Sequence, residues 1–276
     1  MAMQIPGLFS QPILRHVLLG SSQADRRIRF LNELREAMID PRMIWLPDWG
    51  DGLTSVDQSG FQAVITHNLT LFGRQNKQGF GLLITFDGST HAASGPAASN
   101  YSFGDALADL PFSCGALVNG TDTANYRPIL CKWANGTPLR EWAFAITTGD
   151  LLELRLYDES LDVIPFRNSS AAITMGSLRN FAATYTPSIG ATAASGIVLY
   201  DQGAVLASAA TEAATYLAME SSVAVLSIGS RQNAAGPTFS NYFQGTQGVT
   251  WLAGGARSAA EIMDIRNLIL GYCGAG

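Results

Sequence analysis

Hydrolysis of a glycosidic bond needs two carboxylates held about 5–9.5 Å apart across the sugar, commonly from same-face positions on one strand. The best place to look for such a pair is the stretch from Leu152 to Glu159. Glu153 stands between Leu152 and Leu154, and its next same-face neighbours are Arg155 and Tyr157, so a surface ion pair with Arg155 is the expected use of its charge. Asp158 and Glu159 follow in a turn and read as solvated acids. His16, His67 and His91 are too widely spaced for a local metal pair, and no G-x-S-x-G elbow or phosphate loop occurs. Cys114, Cys131 and Cys273 lack the close spacing of zinc ligands and read as buried, reduced thiols, with a Cys114–Cys131 bridge left open. Trp45, Trp49, Trp133, Trp142 and Trp251 could stack on sugar rings but suit a core. These residues predict no enzyme.

The elements that must position them are mostly strands. Trp142–Tyr157 and Ser195–Ala207 each read as two alternating strands around a polar turn, Thr148-Gly149-Asp150 in one and Asp201-Gln202-Gly203 in the other. Leu152, Leu154 and Leu156 share one face, the period of a half-buried strand. Further strands are expected near 43–47, 62–72, 81–87, 112–119, 127–133, 179–186, 204–209, 223–229 and 247–253. Two packed antiparallel sheets bury one face of each strand. An amphipathic helix is predicted over 23–39, capped by Ser22, striped with Ile28, Leu31, Leu34 and Met38, and stopped by Pro41. A second helix is predicted over 258–270, where Ser258 and Glu261 form a capping box.

In order along the chain, several short motifs point one way. Trp45-Leu46-Pro47-Asp48-Trp49-Gly50 leads to Val56-Asp57-Gln58-Ser59-Gly60, and Phe86-Asp87-Gly88-Ser89 follows. Ile129-Leu130-Cys131-Lys132-Trp133 with Glu141-Trp142, Phe181-Ala182-Ala183-Thr184-Tyr185 and Gly196–Gly203 come next, and Leu226–Arg231, Phe243-Gln244-Gly245 and Arg257–Ile262 end the series. From Met43 to Tyr272 the chain resembles the concanavalin A-like, laminin-G-type jelly rolls common in phage and bacterial surface proteins. It departs from them at Cys114-Gly115-Ala116-Leu117, where the family carries a Trp. The resemblance implies an all-β jelly-roll sandwich over residues 43–276, preceded by a helical arm, residues 1–42, that the family does not require. It also implies a calcium site using the Asp of the D-x-S-G turn, here Asp57, together with an acid after the f-G turn. The stretch Thr246-Gln247-Gly248-Val249-Thr250 supplies no such acid, so no cofactor is expected, with Asp57 the one candidate calcium ligand.

Charged residues make up 14% of the 276, with a net charge of −5, which offers no basic surface to nucleic acid or an anionic membrane. The longest apolar runs fall short of the roughly 18–20 residues that span a bilayer. Residues 1–20 lack the pattern of a secretory signal. A protein displayed without export fits a virion surface role, as a phage decoration, fibre or tail-adsorption protein. A bacterial carbohydrate-binding lectin module is the second reading and a glycoside hydrolase the third. The apolar residues Leu8, Phe9, Leu14 and Leu18, with Ile28, Leu31, Leu34 and Met38, are expected to dock the arm on another virion protein or a second copy. Cell-surface glycans are a further candidate partner.

Overall fold

The computed structural model describes residues 23–47, 54–60, 63–67, 74–76, 82–121, 124–135, 139–233 and 238–273. Helix α1 (Gln23–Met38) leads into strands β1 (Pro41–Trp45), β2 (Thr54–Val56), β3 (Val64–His67), β4 (Arg74–Asn76), β5 (Leu82–Asp87) and β6 (Ala93–Ser94). The middle of the chain gives β7 (Phe112–Gly120), β8 (Arg127–Asn135), β9 (Arg140–Ile146), β10 (Leu152–Leu156), β11 (Phe166–Ser169), β12 (Arg179–Tyr185) and β13 (Ile197–Asp201). Strands β14 (Ala204–Val205), β15 (Ser208–Thr211), β16 (Leu226–Ile228), β17 (Arg231–Asn233), β18 (Phe239–Ser240) and β19 (Gln244–Gly254) precede helix α2 (Ala259–Cys273).

These strands form two sheets. The first runs β14-β13-β12-β7-β19-β5-β4, with β1 beside the second half of β19, and the second runs β15-β11-β10-β9-β8-β16-β6-β3-β2. Alternation supplies the core between them: Phe112, Cys114, Ala116 and Val118 from β7 meet Trp142, Phe144 and Ile146 from β9 and Leu152, Leu154 and Leu156 from β10. Both expected hairpins form. Gln202 and Gly203 take φ of +53° and +80°, the two left-handed residues of a tight hairpin turn. In the other hairpin Asp150, at φ +59°, takes the left-handed position next to Gly149. The stretch expected as one strand over 204–209 is instead split, β14 closing the first sheet and β15 the second, with Leu206 and Ala207 crossing between them. Position 115 has room for glycine alone: Trp251 of β19 pairs with it in register, and a Cβ at 115 would lie 2.7 Å from that indole.

The outer side of the first sheet carries both helices. Phe30, Leu31, Leu34 and Met38 of α1 pack with Ile262, Ile265 and Ile269 of α2 over Ile44, Leu117 and Trp251. Phe30 also stacks on Tyr272, ring centroids 4.1 Å apart. The capping box of α2 is present, the Ser258 amide donating to Glu261 Oε2 at 2.7 Å and the Glu261 amide to Ser258 Oγ at 3.3 Å. This corrects part of the docking-arm expectation: Leu31, Leu34 and Met38 are buried by the chain's own sheet and leave no apolar stripe for a partner. Ile28, 54% exposed, faces outward. Leu8, Phe9, Leu14 and Leu18 lie outside the described residues.

Candidate functional site

Among the described residues no helix covers the outer side of the second sheet. Strand pairing aligns a row of outward residues across it, Phe166, Arg155, Ala143, Cys131, Ser227, Ser94 and Thr66. The middle of that row is small, so larger side chains from its margins can lie over it. One comes from the chain just before β8, where Tyr126 reaches across to β10. Others come from β17: after β16 the chain reverses at Gly229 (φ +68°) and returns alongside the end of β8, parallel to it. No other residue type suits that reversal, because a Cβ at 229 would meet the Phe86 ring at 2.3 Å.

Two guanidinium groups and two aromatic rings converge there. Arg155 lies over the Tyr126 ring at 4.7 Å and near Trp133 at 5.9 Å, and Arg231 approaches the same rings at 5.8 and 6.0 Å. Glu153 accepts from Arg155 Nε at 2.6 Å and from the Tyr126 hydroxyl at 3.3 Å. The expected ion pair exists, but Glu153 is only 2% exposed rather than on the surface, because Tyr126 and Arg155 cover it. Burial raises the Glu153 carboxyl above its usual range against the pull of Arg155. Burial also lowers the Arg231 guanidinium, and Arg155 pushes it the same way. Arg231 donates to Asn241 Oδ1 at 3.0 Å, while its Nε has no partner. Among the described residues the cluster therefore holds two cations against one carboxylate. Farther along β10, Trp133 meets Tyr157 edge-on, and Arg140 lies 3.9 Å over the Tyr157 ring.

Sugar hydrolysis would need a second acid facing Glu153 across a gap. The groups acting on Glu153 are Arg155 and Tyr126. Asp158 and Glu159 are not the solvated turn acids expected. Asp158 is buried and accepts from the Leu161 amide, the Ser160 hydroxyl and the Leu217 amide at 2.9–3.0 Å, and Glu159 pairs with Arg140 at 3.0 Å. Asp57 is likewise buried. Its Oδ1 accepts the amides of Ile44 and Ser59, each at 2.8 Å, and its Oδ2 the Ser59 hydroxyl at 2.6 Å. N–H and O–H donors thus take three of the lone-pair positions of this carboxylate, which clamps its own turn to β1. Among the described residues no three His, Cys, Asp or Glu side chains are grouped to hold a metal. Cys114 points between the sheets and Cys131 outward from the second, so the two thiols are free and cannot bridge. Trp45 and Trp142 are in the core and Trp251 is under the helices, whereas Trp133 is on the outer face.

An acidic clamp escaped the reading of the residues. The long connection from β15 to β16 is held by carboxylates of other loops. Asp109 accepts the Met219 amide at 2.8 Å and the Tyr185 and Tyr216 hydroxyls at 2.6 Å, Asp158 the Leu217 amide, and Glu141 the Ser222 amide at 3.4 Å. Glu141 also pairs with Lys132 at 3.3 Å, both side chains fully buried. Lys132 and Glu141 stand out only as family-motif positions, and Asp109 has no sequence signal at all.

Neither a family model nor a curated protein sequence matches this chain. Solved structures do. The binding domain of Paraclostridial Mosquitocidal Protein 1 is similar over 86% of this chain and 53% of that one, with 12% identity and a TM-score of 0.61. The botulinum neurotoxin serotype G binding domain aligns over 82% and 50%, with 11% identity and a TM-score of 0.59. The CBM40 domain of the Ruminococcus gnavus IT-sialidase, solved bound to α2,3-sialyllactose, aligns over 67% of this chain and 96% of that one, with 13% identity and a TM-score of 0.50. The chain spans about half the length of the toxin binding domains it matches. Likeness at such identities establishes fold: this is an antiparallel β-sandwich of the kind found in carbohydrate- and receptor-binding domains.

Proposed function

We propose that this chain is a non-enzymatic glycan-binding module of the concanavalin A-like kind, and that its ligand carries a carboxylate. The observation that carries the reading is the Arg155–Arg231 pair, two guanidiniums over Tyr126 and Trp133, with Glu153 the one carboxylate in the cluster among the described residues. Guanidinium forks match a carboxylate in shape and charge. The similarity to binding domains, one of them solved with an acidic trisaccharide, supports this role over the virion surface role that the sequence placed first.

Retention on immobilised α2,3-sialyllactose against lactose tests it. Binding is expected to the acidic sugar alone, without sugar release, and to weaken as salt rises. Arg231→Ala should reduce affinity about 10- to 100-fold, the equivalent of the roughly 1.5–3 kcal/mol carried by a charged hydrogen bond. Equal retention on both sugars, or an unchanged Arg231→Ala variant, would sink the proposal.

A further inference from the structure

A second recess lies away from the arginine face, at the rim of the first sheet where β5 and β7 end and β19 begins. Its volume is about 630 Å³, within the range of small-ligand sites, and its polar wall is Asp87, Asn119, Thr121, Gln244 and Thr246, with Met175 on one side. Glycines keep it open. Gly245, at φ +134°, brings its backbone so close to β7 that a Cβ would lie 2.2 Å from the Asn119 carbonyl oxygen, and a Cβ at Gly120 would meet Met175 Sδ at 3.1 Å. Gly88, at φ +78°, leaves room for the Gln244 side chain against the turn after β5, where a Cβ would come within 3.0 Å of Gln244 Oε1.

The charge of this recess is opposite to that of the arginine face. Among the described residues its one ionisable wall group is Asp87, which accepts the amides of Ser89, Thr90 and His91 on one oxygen and the hydroxyls of Ser89 and Thr90 on the other. Desolvation works against ionisation there, but these hydrogen bonds prevail and hold the carboxyl well below its usual range. A fixed negative charge with no cation among the described wall residues repels an anion. What remains is suited to hydroxyl groups: two amides and the threonine hydroxyls both donate and accept, and Met175 gives an apolar side for a ring face. The Thr246 hydroxyl, of a residue in the recess wall, is buried with no hydrogen-bond partner.

We propose that the rim recess is a second binding site, for an uncharged polyhydroxylated ligand such as a neutral oligosaccharide. It is independent of the acidic-sugar site, and the two together would let one module grip a glycan that carries both kinds of residue.

The test titrates the full chain, by proton–nitrogen NMR and calorimetry, with arabinotriose, maltotriose, cellotriose, xylotriose and mannotriose up to about 10 mM, the range of weak single-site affinities. At least one should bind and shift the amides of Gly120, Gly176 and Gly245. An Asn119→Ala/Gln244→Ala variant is expected to lose that binding about tenfold while keeping sialyllactose, and Arg231→Ala should show the reverse. The proposal fails if no trisaccharide binds, if the shifted amides lie elsewhere, or if the double variant binds neutral sugar as before. Should that variant not fold, the amide shifts of the unaltered protein decide alone. Loss of sialyllactose binding throughout, with neutral binding at the rim intact, would overturn the arginine-face reading and leave this one standing.

Discussion

Replacing Lys132 by alanine is expected to destabilise the fold by about 3–5 kcal/mol, the usual consequence of leaving one charge of a buried pair alone. Both side chains of the Lys132–Glu141 pair are fully buried at 3.3 Å, and each holds the chain as well as its partner. The Lys132 ammonium donates to the Ser222 carbonyl and hydroxyl oxygens, and the Glu141 carboxylate accepts the Phe103 amide at 2.6 Å and the Ser222 amide at 3.4 Å. Removing the ammonium strands the carboxylate and frees the connection before β16 on one side. A Lys132→Met/Glu141→Gln double variant should recover much of the loss, because no charge is stranded and the Gln carbonyl can still accept the Phe103 amide. Urea midpoints at about pH 8, where the carboxylate of the unaltered protein is mostly ionised, measure both variants. A Lys132→Ala loss below about 1 kcal/mol would mean that the ammonium does not hold this end of the sandwich.

The pair also bears on the candidate site through a bulge. The register between β8 and β9 shifts between Lys132 and Trp133, so that Lys132 opposes Trp142 and Trp133 opposes Arg140, leaving Glu141 as the extra residue. That irregularity turns Glu141 toward the interior loops while Trp133 and Arg140 stay on the outer face. A buried ion pair and half of the aromatic surface thus share one local distortion.

What could be read in the residues follows from how far the information lies along the chain. Leu152, Leu154 and Leu156 alternate with Glu153 and Arg155 within five residues, so the strand, its buried face and the Glu153–Arg155 pair were legible. Ser258 and Glu261 spelled out a cap within one turn. The burial of Glu153 was not legible, because it depends on Tyr126, which is 27 residues away. Arg231 stands in the sequence only as the end of a motif, since nothing local says that the reversal at Gly229 brings it back over Trp133. Strand β11, Phe-Arg-Asn-Ser, has no apolar alternation and was missed; it is held by pairing with β10 and β15 on either side. The stripe of α1 was recognised but not its destination, because a helix face does not reveal whether it covers its own sheet or another protein.

Thermal stability is expected to rise as pH falls from about 7 to about 4.5, contrary to ordinary acid denaturation. Burial, opposed by Lys132 and by hydrogen bonds, pushes the Glu141 carboxyl up to about 7 from an ordinary 4.5. Between those values the folded protein keeps the proton that the unfolded chain has lost, so raising pH through this window favours unfolding. The Glu141 contribution is at most about 3 kcal/mol, at about 1.4 kcal/mol for each pH unit of the window. Burial raises Asp57, Asp109 and Glu153 as well, and these add in the same sense. Asp87, Asp105 and Glu261 act oppositely: hydrogen bonds hold them low, so the stability they give is lost as pH falls through their folded values. Lys132, lowered by burial, contributes on the alkaline side, outside the window. A maximum in melting temperature is therefore expected in mild acid, with a fall at lower pH. Glu141→Gln should flatten the slope between about 4.5 and 7 and leave the acid limb in place. A melting temperature that climbs with pH across that window in the unaltered protein would show that Glu141 is held ionised by Lys132, whereas a slope that survives undiminished in Glu141→Gln would assign it to Asp57, Asp109 and Glu153 instead.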